Sequence, residues 1–208
     1  MRMRNKPNLA ARMDRCAHLL AAEPEQLRGK WLDTHGGSEL HIEIGCGKGA
    51  FTMETAKASP DVLYAAIEKS ANVMITAMER AESEGLRNIR FISTPADRMS
   101  DIFAPGEVSR IYINFCDPWP LNRHIKRRLT HHNYLELYKQ LLRPGGEIHF
   151  KTDNLPLFEY SLQEFRLCGY TPASIIYDLH KDGPVGIMTD YERKFHARGL
   201  PIYYAAFV

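Results

Sequence analysis

From residue 40 onward, apolar positions alternate with polar ones, lengthen to a helical period, and alternate again. Leu40, Ile42 and Ile44 interleave with His41 and Glu43, which predicts a strand running into Gly45-Cys46-Gly47-Lys48-Gly49. A helix is predicted over 50–59, closed by Pro60, then a strand over 62–67 that delivers Glu68. The next helix, 71–84, stops at Gly85 as a C-terminal glycine dictates, and strands follow over 89–92 and 110–115. Tyr134, Leu137, Tyr138, Leu141 and Leu142 share a helical face within 130–142, and Arg143-Pro144-Gly145-Gly146 turns that helix into a strand over 147–151. A helix over 156–168, a strand over about 174–178, a short helix over 189–197 and a strand over 201–207 complete the chain.

Strands alternating with helices predict an α/β fold: a mostly parallel seven-stranded sheet, helices on both faces, the last strand antiparallel. Ligands of such sheets sit beyond the carboxyl ends of the strands, which gathers residues 43–49, Glu68 and 114–120 on one edge. Before residue 38 the pattern is weaker: from about Leu19 to Gly37 it suggests a short helix and a loop, punctuated by Glu23-Pro24-Glu25 and Gly36-Gly37. That opening carries Arg2, Arg4, Lys6, Arg12 and Arg15 against Asp14 and reads as a basic arm. The expected organisation is an arm and helix over 1–37 and a single domain over 38–208.

Composition narrows the classes further. A chain of 208 residues with 44% hydrophobic and 25% charged residues suits one soluble globular domain. Net charge is only +2, so any polyanionic partner must be met by local patches. Cys16, Cys46, Cys116 and Cys168 are scattered without a Cys-x-x-Cys pair, as reduced thiols of a cytoplasmic protein would be. No apolar run is long enough for a bilayer, and the basic start lacks the apolar stretch of a secretory signal. His124, His131 and His132 lack the spacing of a metal site, and His41 is expected to face outward from its strand, so no metal is expected.

The densest chemistry lies in Asn114-Phe115-Cys116-Asp117-Pro118-Trp119-Pro120. Pro118 disfavours helix at Asp117, so a stiff turn presents that carboxylate just past a strand, with Trp119 beside it. Arg123, Lys126, Arg127 and Arg128 follow within a dozen residues. A carboxylate, an aromatic plate and phosphate-binding cations together suit a base in a nucleic acid; the plainer reading is a proline-rich turn before a solvated basic helix start. Trp119 either stacks on a base or walls the pocket.

The glycine turn differs from a dinucleotide fingerprint. Its glycines fall at Gly-x-Gly-x-Gly, and Glu43 precedes them by two positions. An acid there repels a pyrophosphate and suits a cationic ligand such as S-adenosylmethionine, with Gly45 and Gly47 against the adenosine and Glu68 taking the ribose hydroxyls. Asp97 either accepts from the adenine amino group or caps the helix starting near Met99.

With these blocks assembled, the chain resembles the bacterial tRNA (guanine-N7)-methyltransferases nearly end to end. The match covers the Met-Arg-Met-Arg start, residues 43–49, 114–120 and 123–130, Phe150-Lys151-Thr152-Asp153-Asn154 and Thr189-Asp190-Tyr191-Glu192, the last three blocks being specific to that family. The resemblance implies a class I, Rossmann-like methyltransferase fold using S-adenosylmethionine on a guanine in the variable loop of tRNA. It implies that Glu43 and Glu68 bind cofactor, and that Asp117 is the catalytic acid position and also touches cofactor. Asp153 and the block Thr189, Asp190, Tyr191 and Glu192 would hold substrate, with Arg123, Lys126 and Arg127 on the RNA backbone.

Two positions depart from the family. Leu121 stands where a substrate-contacting lysine is usual, leaving Arg123 or Lys126 to supply the charge; Pro95 stands where an acid usually meets adenine, two residues before Asp97. Thr189 and Glu192 also have capping-box spacing, and Asp153-Asn154 precedes a helix it could cap. Guanine N7 carries a lone pair and no hydrogen, so Asp117 is better cast as an orienting acceptor than as an obligatory base. The 179–188 loop is rich in Gly and Pro, and the sequence leaves open whether it is ordered alone or only with RNA bound; either a monomer or a homodimer fits. An exocyclic-amine methyltransferase of adenine would carry Asp/Asn-Pro-Pro-aromatic instead. A non-catalytic RNA-binding relative would have no need of Glu43, Glu68 and Asp117.

Overall fold

The computed structural model describes residues 6–208; the expected arm residues Arg2 and Arg4 lie outside that range. A seven-stranded sheet forms the centre, with strand order β3-β2-β1-β4-β5-β7-β6. Its strands are β1 (Glu39–Ile44), β2 (Val62–Ile67), β3 (Ile89–Ile92), β4 (Val108–Asn114), β5 (Leu142–Thr152), β6 (Pro172–Ile176) and β7 (Tyr203–Phe207). β1 to β5 pair in parallel, and β7 runs antiparallel to both β5 and β6. The order reverses between β1 and β4, and at that switch point Glu43 pairs with Tyr112. Asn114 pairs with Lys151 one strand further on. The ends of β1, β2 and β4 therefore open on one crevice, as the topology requires.

The helices are α1 (Leu9–Arg15), α2 (Ala50–Ala58), α3 (Ala71–Ser83), α4 (Met99–Ile102), α5 (His132–Leu141), α6 (Leu155–Leu167) and α7 (Asp190–His196). Leu40, Ile42 and Ile44 bury one face of β1 against Phe103, Ile111 and Phe150. The opposite face holds a second cluster around Tyr64, Ala66, Phe51, Met74 and Met78, under α2 and α3. Covering both faces corrects the expectation for His41. It is 4% exposed, its ring edges Tyr64 and Tyr112, and burial lowers its pKa.

The segment before residue 38 is fastened to the sheet edge and to α3. Trp31 is fully buried against Phe103, and Leu20 bridges Phe91 of β3. Arg12 grips Glu79 of α3 through two hydrogen bonds of 2.7 and 2.5 Å, and Lys6 reaches Asn72 and Thr76 on the same helix face. Arg12 thus neutralises the domain's own acid and Lys6 bonds neutral side chains of the same helix, where phosphate contacts were expected. α1 buries no residue fully; Leu9 and Met13 give it a narrow apolar face half-buried against the cluster under α3. The basic run also departs from expectation. Asn122–Arg127 forms a separate 3-10 turn, and α5 begins only at His132, capped by the His131 ring.

Candidate active site

The crevice beyond β1, β2 and β4 holds a cavity of about 480 Å³. Gly45, Glu68, Pro95, Asn114, Asp117, Trp119 and Tyr134 are among the residues that line it. The three turn glycines divide their work. Gly45 has φ +81° and open space where a Cβ would sit, so the backbone can meet a ligand closely there. Gly47 has φ +58° and turns its N–H onto a Glu68 oxygen at 3.3 Å. A Cβ on Gly49, at φ +74°, would lie 2.7 Å from Ala77 Cβ, so this glycine exists for the packing of α2 on α3.

Among the described residues Glu68 is held by backbone donors: Gly47 N–H donates to one oxygen and Ser70 N–H to the other at 2.9 Å. Glu68 lines the cavity, and a carboxylate oxygen that accepts one backbone bond has a second lone pair with which to take a hydroxyl. Glu43 stands behind the wall. Thr52 donates to one of its oxygens, and Asn114 Nδ2 donates to the other at 3.0 Å. Burial pushes this carboxyl up to about 7, against the hydrogen bonds and the attraction of Lys151 that pull it down. Asn114, absent from the sequence-derived set, is thus the group that carries the influence of Glu43 to the cavity surface. Asp97 is exposed on the 3-10 turn Ala96–Arg98 and does not cap α4; Thr94, Pro95 and Ala96 line the cavity in its place.

Asp117 opens on the same cavity from a turn flanked by two non-glycine residues in the left-handed region, Phe115 at φ 52° and Trp119 at φ 41°. Arg127 lies over the Trp119 ring at 5.0 Å, and His124 meets that ring edge-on. Arg123 and Lys126 are exposed on the same 3-10 turn and form no part of the cavity wall. Arg128 departs from its expected phosphate role: its guanidinium donates to the carbonyls of Pro118 and Trp119.

The distal block approaches from α7. Tyr191 packs on Phe115 at 5.1 Å and stacks on Phe195, and its hydroxyl donates to Asp153 Oδ2 at 3.3 Å. Asp153 and Tyr191 therefore stand together beside the Asp117 turn. Asn154, not Asp153, caps α6, its side chain accepting from Leu157 N. Thr189 and Glu192 form both bonds of a capping box. Asp190 is exposed and pairs with Arg193 and Arg80.

Glu192 departs from a direct substrate role: it is fully buried, with Lys151 and His180 donating to it. Lys151 also bonds Ile187 O, and the buried His180 ring accepts from Val185 N. The 179–188 loop is thereby tied down within the chain itself, a point the sequence leaves open. A lone Lys in the apolar β5 run was the available signal; nothing marked His180.

His131, His132 and Glu164 have ligand atoms within 4.8 Å of one another, a grouping that linear spacing hid. One His131 nitrogen and one Glu164 oxygen are engaged at the start of α5. His131 Nδ1 accepts from Asn133 N, and one Glu164 oxygen accepts from both His132 N and its ring.

Known proteins bear on this geometry. The family model described as "Putative methyltransferase" matches residues 38–205. The tRNA (guanine-N(7)-)-methyltransferase of Bacillus subtilis is 44% identical over 207 residues, covering 99% of this chain and 97% of its own. That of Bacillus licheniformis is 45% identical over 205 residues, covering 98% and 96%. Among solved structures, the 16S rRNA methyltransferase KamB superposes with TM-score 0.66 at 18% identity, covering 90% of this chain and 92% of that one. A 16S rRNA (adenine(1408)-N(1))-methyltransferase from Catenulisporales acidiphilia, with cosubstrate S-adenosylmethionine, superposes with TM-score 0.61 at 15% identity, covering 89% and 91%. At such identities these structures speak for the fold, a class I methyltransferase sheet.

Proposed function

Because this chain belongs to the tRNA (guanine-N(7)-)-methyltransferase family, we propose that it methylates N7 of a guanine in the variable loop of tRNA in the cytoplasm. The observation that carries the reading is a shared cavity: Gly45 and Glu68 line it from one side, Asp117 and Trp119 from the other, with Arg127 at the junction. The cofactor side fits S-adenosylmethionine, whose sulfonium supplies an electrophilic methyl group when bound. Gly45 admits the ligand against backbone, Glu68 takes the ribose hydroxyls, and the Glu43–Asn114 pair offers a polar, partly anionic face to its cationic end. With Asp97 off the wall, the backbone of Pro95 and Ala96 takes the adenine edge.

On the substrate side, Asp117 accepts from the Watson–Crick edge of guanine, fixing the ring and offsetting the positive charge that develops as N7 gains the methyl group. N7 has no proton to lose, so no base is needed before attack. Trp119, with Arg127 over it, forms a flat wall for an extruded base, and extrusion costs a few kcal/mol. Tyr191 and Asp153 extend that wall, while Glu192 holds Tyr191 in place from behind. Arg123 and Lys126 meet phosphates and position the RNA without specifying it.

The test is incubation with S-adenosylmethionine and unmodified tRNA, followed by nucleoside mass analysis and chemical cleavage at 7-methylguanine. Cleavage at one variable-loop guanine is expected. Methylation at another position would overturn the substrate reading.

A further inference from the structure

The basic run 123–128 looks uniform in sequence, yet its last member faces inward. Arg128 Nε donates to Pro118 O at 3.0 Å and its terminal nitrogen donates to Trp119 O at 3.1 Å. The guanidinium plane lies 4.3 Å over the ring of Tyr160 on α6, which fixes it from the far side. Both accepting carbonyls belong to the turn that presents Asp117. That turn is strained: besides Asn8, the only non-glycine residues with positive φ among the described residues are Phe115 and Trp119, the two that bracket Asp117. Bulky side chains leave the left-handed region unless the surroundings over-determine it, and such strain gathers at functional sites. One end of the turn is secured by the bond from Phe115 N to Lys151 O at 2.9 Å. At the other end Pro118 and Pro120 have no N–H with which to close a local turn bond, and Arg128 supplies the donors that hold the turn's carbonyls from outside.

We propose that Arg128 is a positioning residue for methyl transfer: its forked guanidinium, braced on Tyr160, locks the strained Phe115–Trp119 turn so that Asp117 aims into the cavity. The role needs two donors in one rigid plane. A lysine ammonium keeps the charge but cannot span both carbonyls in that geometry. The proposal rests on Asp117 acting on the base, as set out above.

The test compares Arg128→Lys, Arg128→Ala and Asp117→Ala, with the double variant of Arg128→Lys and Asp117→Ala, in steady-state methylation of unmodified tRNA. Cofactor affinity by calorimetry and Tm accompany each variant. For Arg128→Lys, kcat should fall about 100-fold, the scale of an ångström's misplacement, with the KM for tRNA and the Kd for S-adenosylmethionine within about threefold of the original. The double variant should be no worse than Asp117→Ala, because a turn without its carboxylate has nothing to aim. Full turnover in Arg128→Lys, with Arg128→Ala raising KM and flattening its salt dependence, would overturn the proposal in favour of a phosphate contact. Loss of cofactor binding together with a collapsed Tm in Arg128→Lys would overturn it in favour of a purely structural residue. Losses that multiply in the double variant would separate Arg128 from Asp117. Full turnover in Asp117→Ala would instead sink the reading of Asp117 itself.

Discussion

Lys151 Nζ, at the end of β5, donates to both carboxylate oxygens of Glu192 in the first turn of α7, at 2.9 and 3.2 Å. Glu192 is fully buried and Lys151 nearly so, and His180 adds a third bond from the loop before α7. A buried ion pair that loses one member leaves an uncompensated charge, at a cost of about 3–5 kcal/mol. Lys151→Met and Glu192→Leu should each lose that much in urea unfolding, and the double variant should recover most of it. A loss near zero in either single variant would mean that water reaches the pair. Because Glu192 anchors Tyr191, each single variant should also raise the KM for tRNA more than it changes cofactor affinity.

Glu43 sets a pH dependence of the opposite sign to that of an ordinary surface carboxylate. Burial raises it from 4.5 to about 7, so between those values the folded state holds a proton that the unfolded chain has released. Stability contributed by this group is present below about 4.5 and is lost as pH rises through 7, about 3 kcal/mol in all. Glu43→Gln abolishes the titration. Its stability relative to the parent protein should therefore rise by about that amount between pH 5 and pH 8, measured by chemical denaturation. An unchanged difference would mean that Glu43 ionises as an exposed acid does.

Asp117 should separate chemistry from cofactor binding. It is exposed, lines the cavity and sits on a turn held from outside the loop, so its removal leaves the fold intact. Asp117→Ala is expected to lower kcat about 100-fold or more, with the Kd for S-adenosylmethionine within tenfold. Asp117→Asn, which keeps one acceptor, should retain part of the turnover. A cofactor affinity that falls in step with kcat would place Asp117 mainly on the cofactor.

The glycine turn offers a paired contrast. At Gly49 an added Cβ meets Ala77 at 2.7 Å, so Gly49→Ala should cost about 2 kcal/mol or more in unfolding free energy. At Gly45 the space is open toward the cavity. Gly45→Ala should weaken cofactor binding while costing only the left-handed backbone penalty of about 1–2 kcal/mol. Equal losses of stability and of cofactor affinity in the two variants would erase this division.

The parallel core was legible because each strand ends in a turn or cap residue that punctuates it, and β2 and β3 fall at their predicted limits. Which face of a strand meets water was not. His41 alternates with apolar residues as a solvent-facing residue would, yet the rings of Tyr64 and Tyr112 on the neighbouring strands enclose it, a fact that resides in tertiary packing. The same limit explains Glu192 and Arg128. A charged residue in a polar motif reads as a contact for substrate, and only the fold shows Lys151 or two carbonyls already in place. The cavity acids Glu68 and Asp117 were readable because a carboxylate just past a buried strand has little other reason to be there. His180 and Asn114 left no such mark, since a loop histidine and a strand-end asparagine are ordinary in isolation.

The cations of the two basic regions should separate under salt titration. Arg12 is spent on Glu79, with Arg15 3.9 Å from the same carboxylate, and Arg128 is spent on backbone carbonyls. Arg123 and Lys126 are exposed on the 3-10 turn whose Arg127 lines the cavity, where they can meet phosphates. Each phosphate contact contributes about 0.7–0.9 to the slope of log affinity against log salt. Arg123→Ala and Lys126→Ala should each weaken tRNA binding and reduce that slope by about one such increment, measured by filter binding over a salt series. Arg12→Ala should leave the slope unchanged and lower Tm instead, because what it breaks is the arm's hold on α3. A reduced slope for Arg12→Ala would mean that the arm leaves Glu79 to join the RNA. Leu121→Lys, at a half-exposed position next to this turn, should add one increment, which asks whether the site has room for a further phosphate contact.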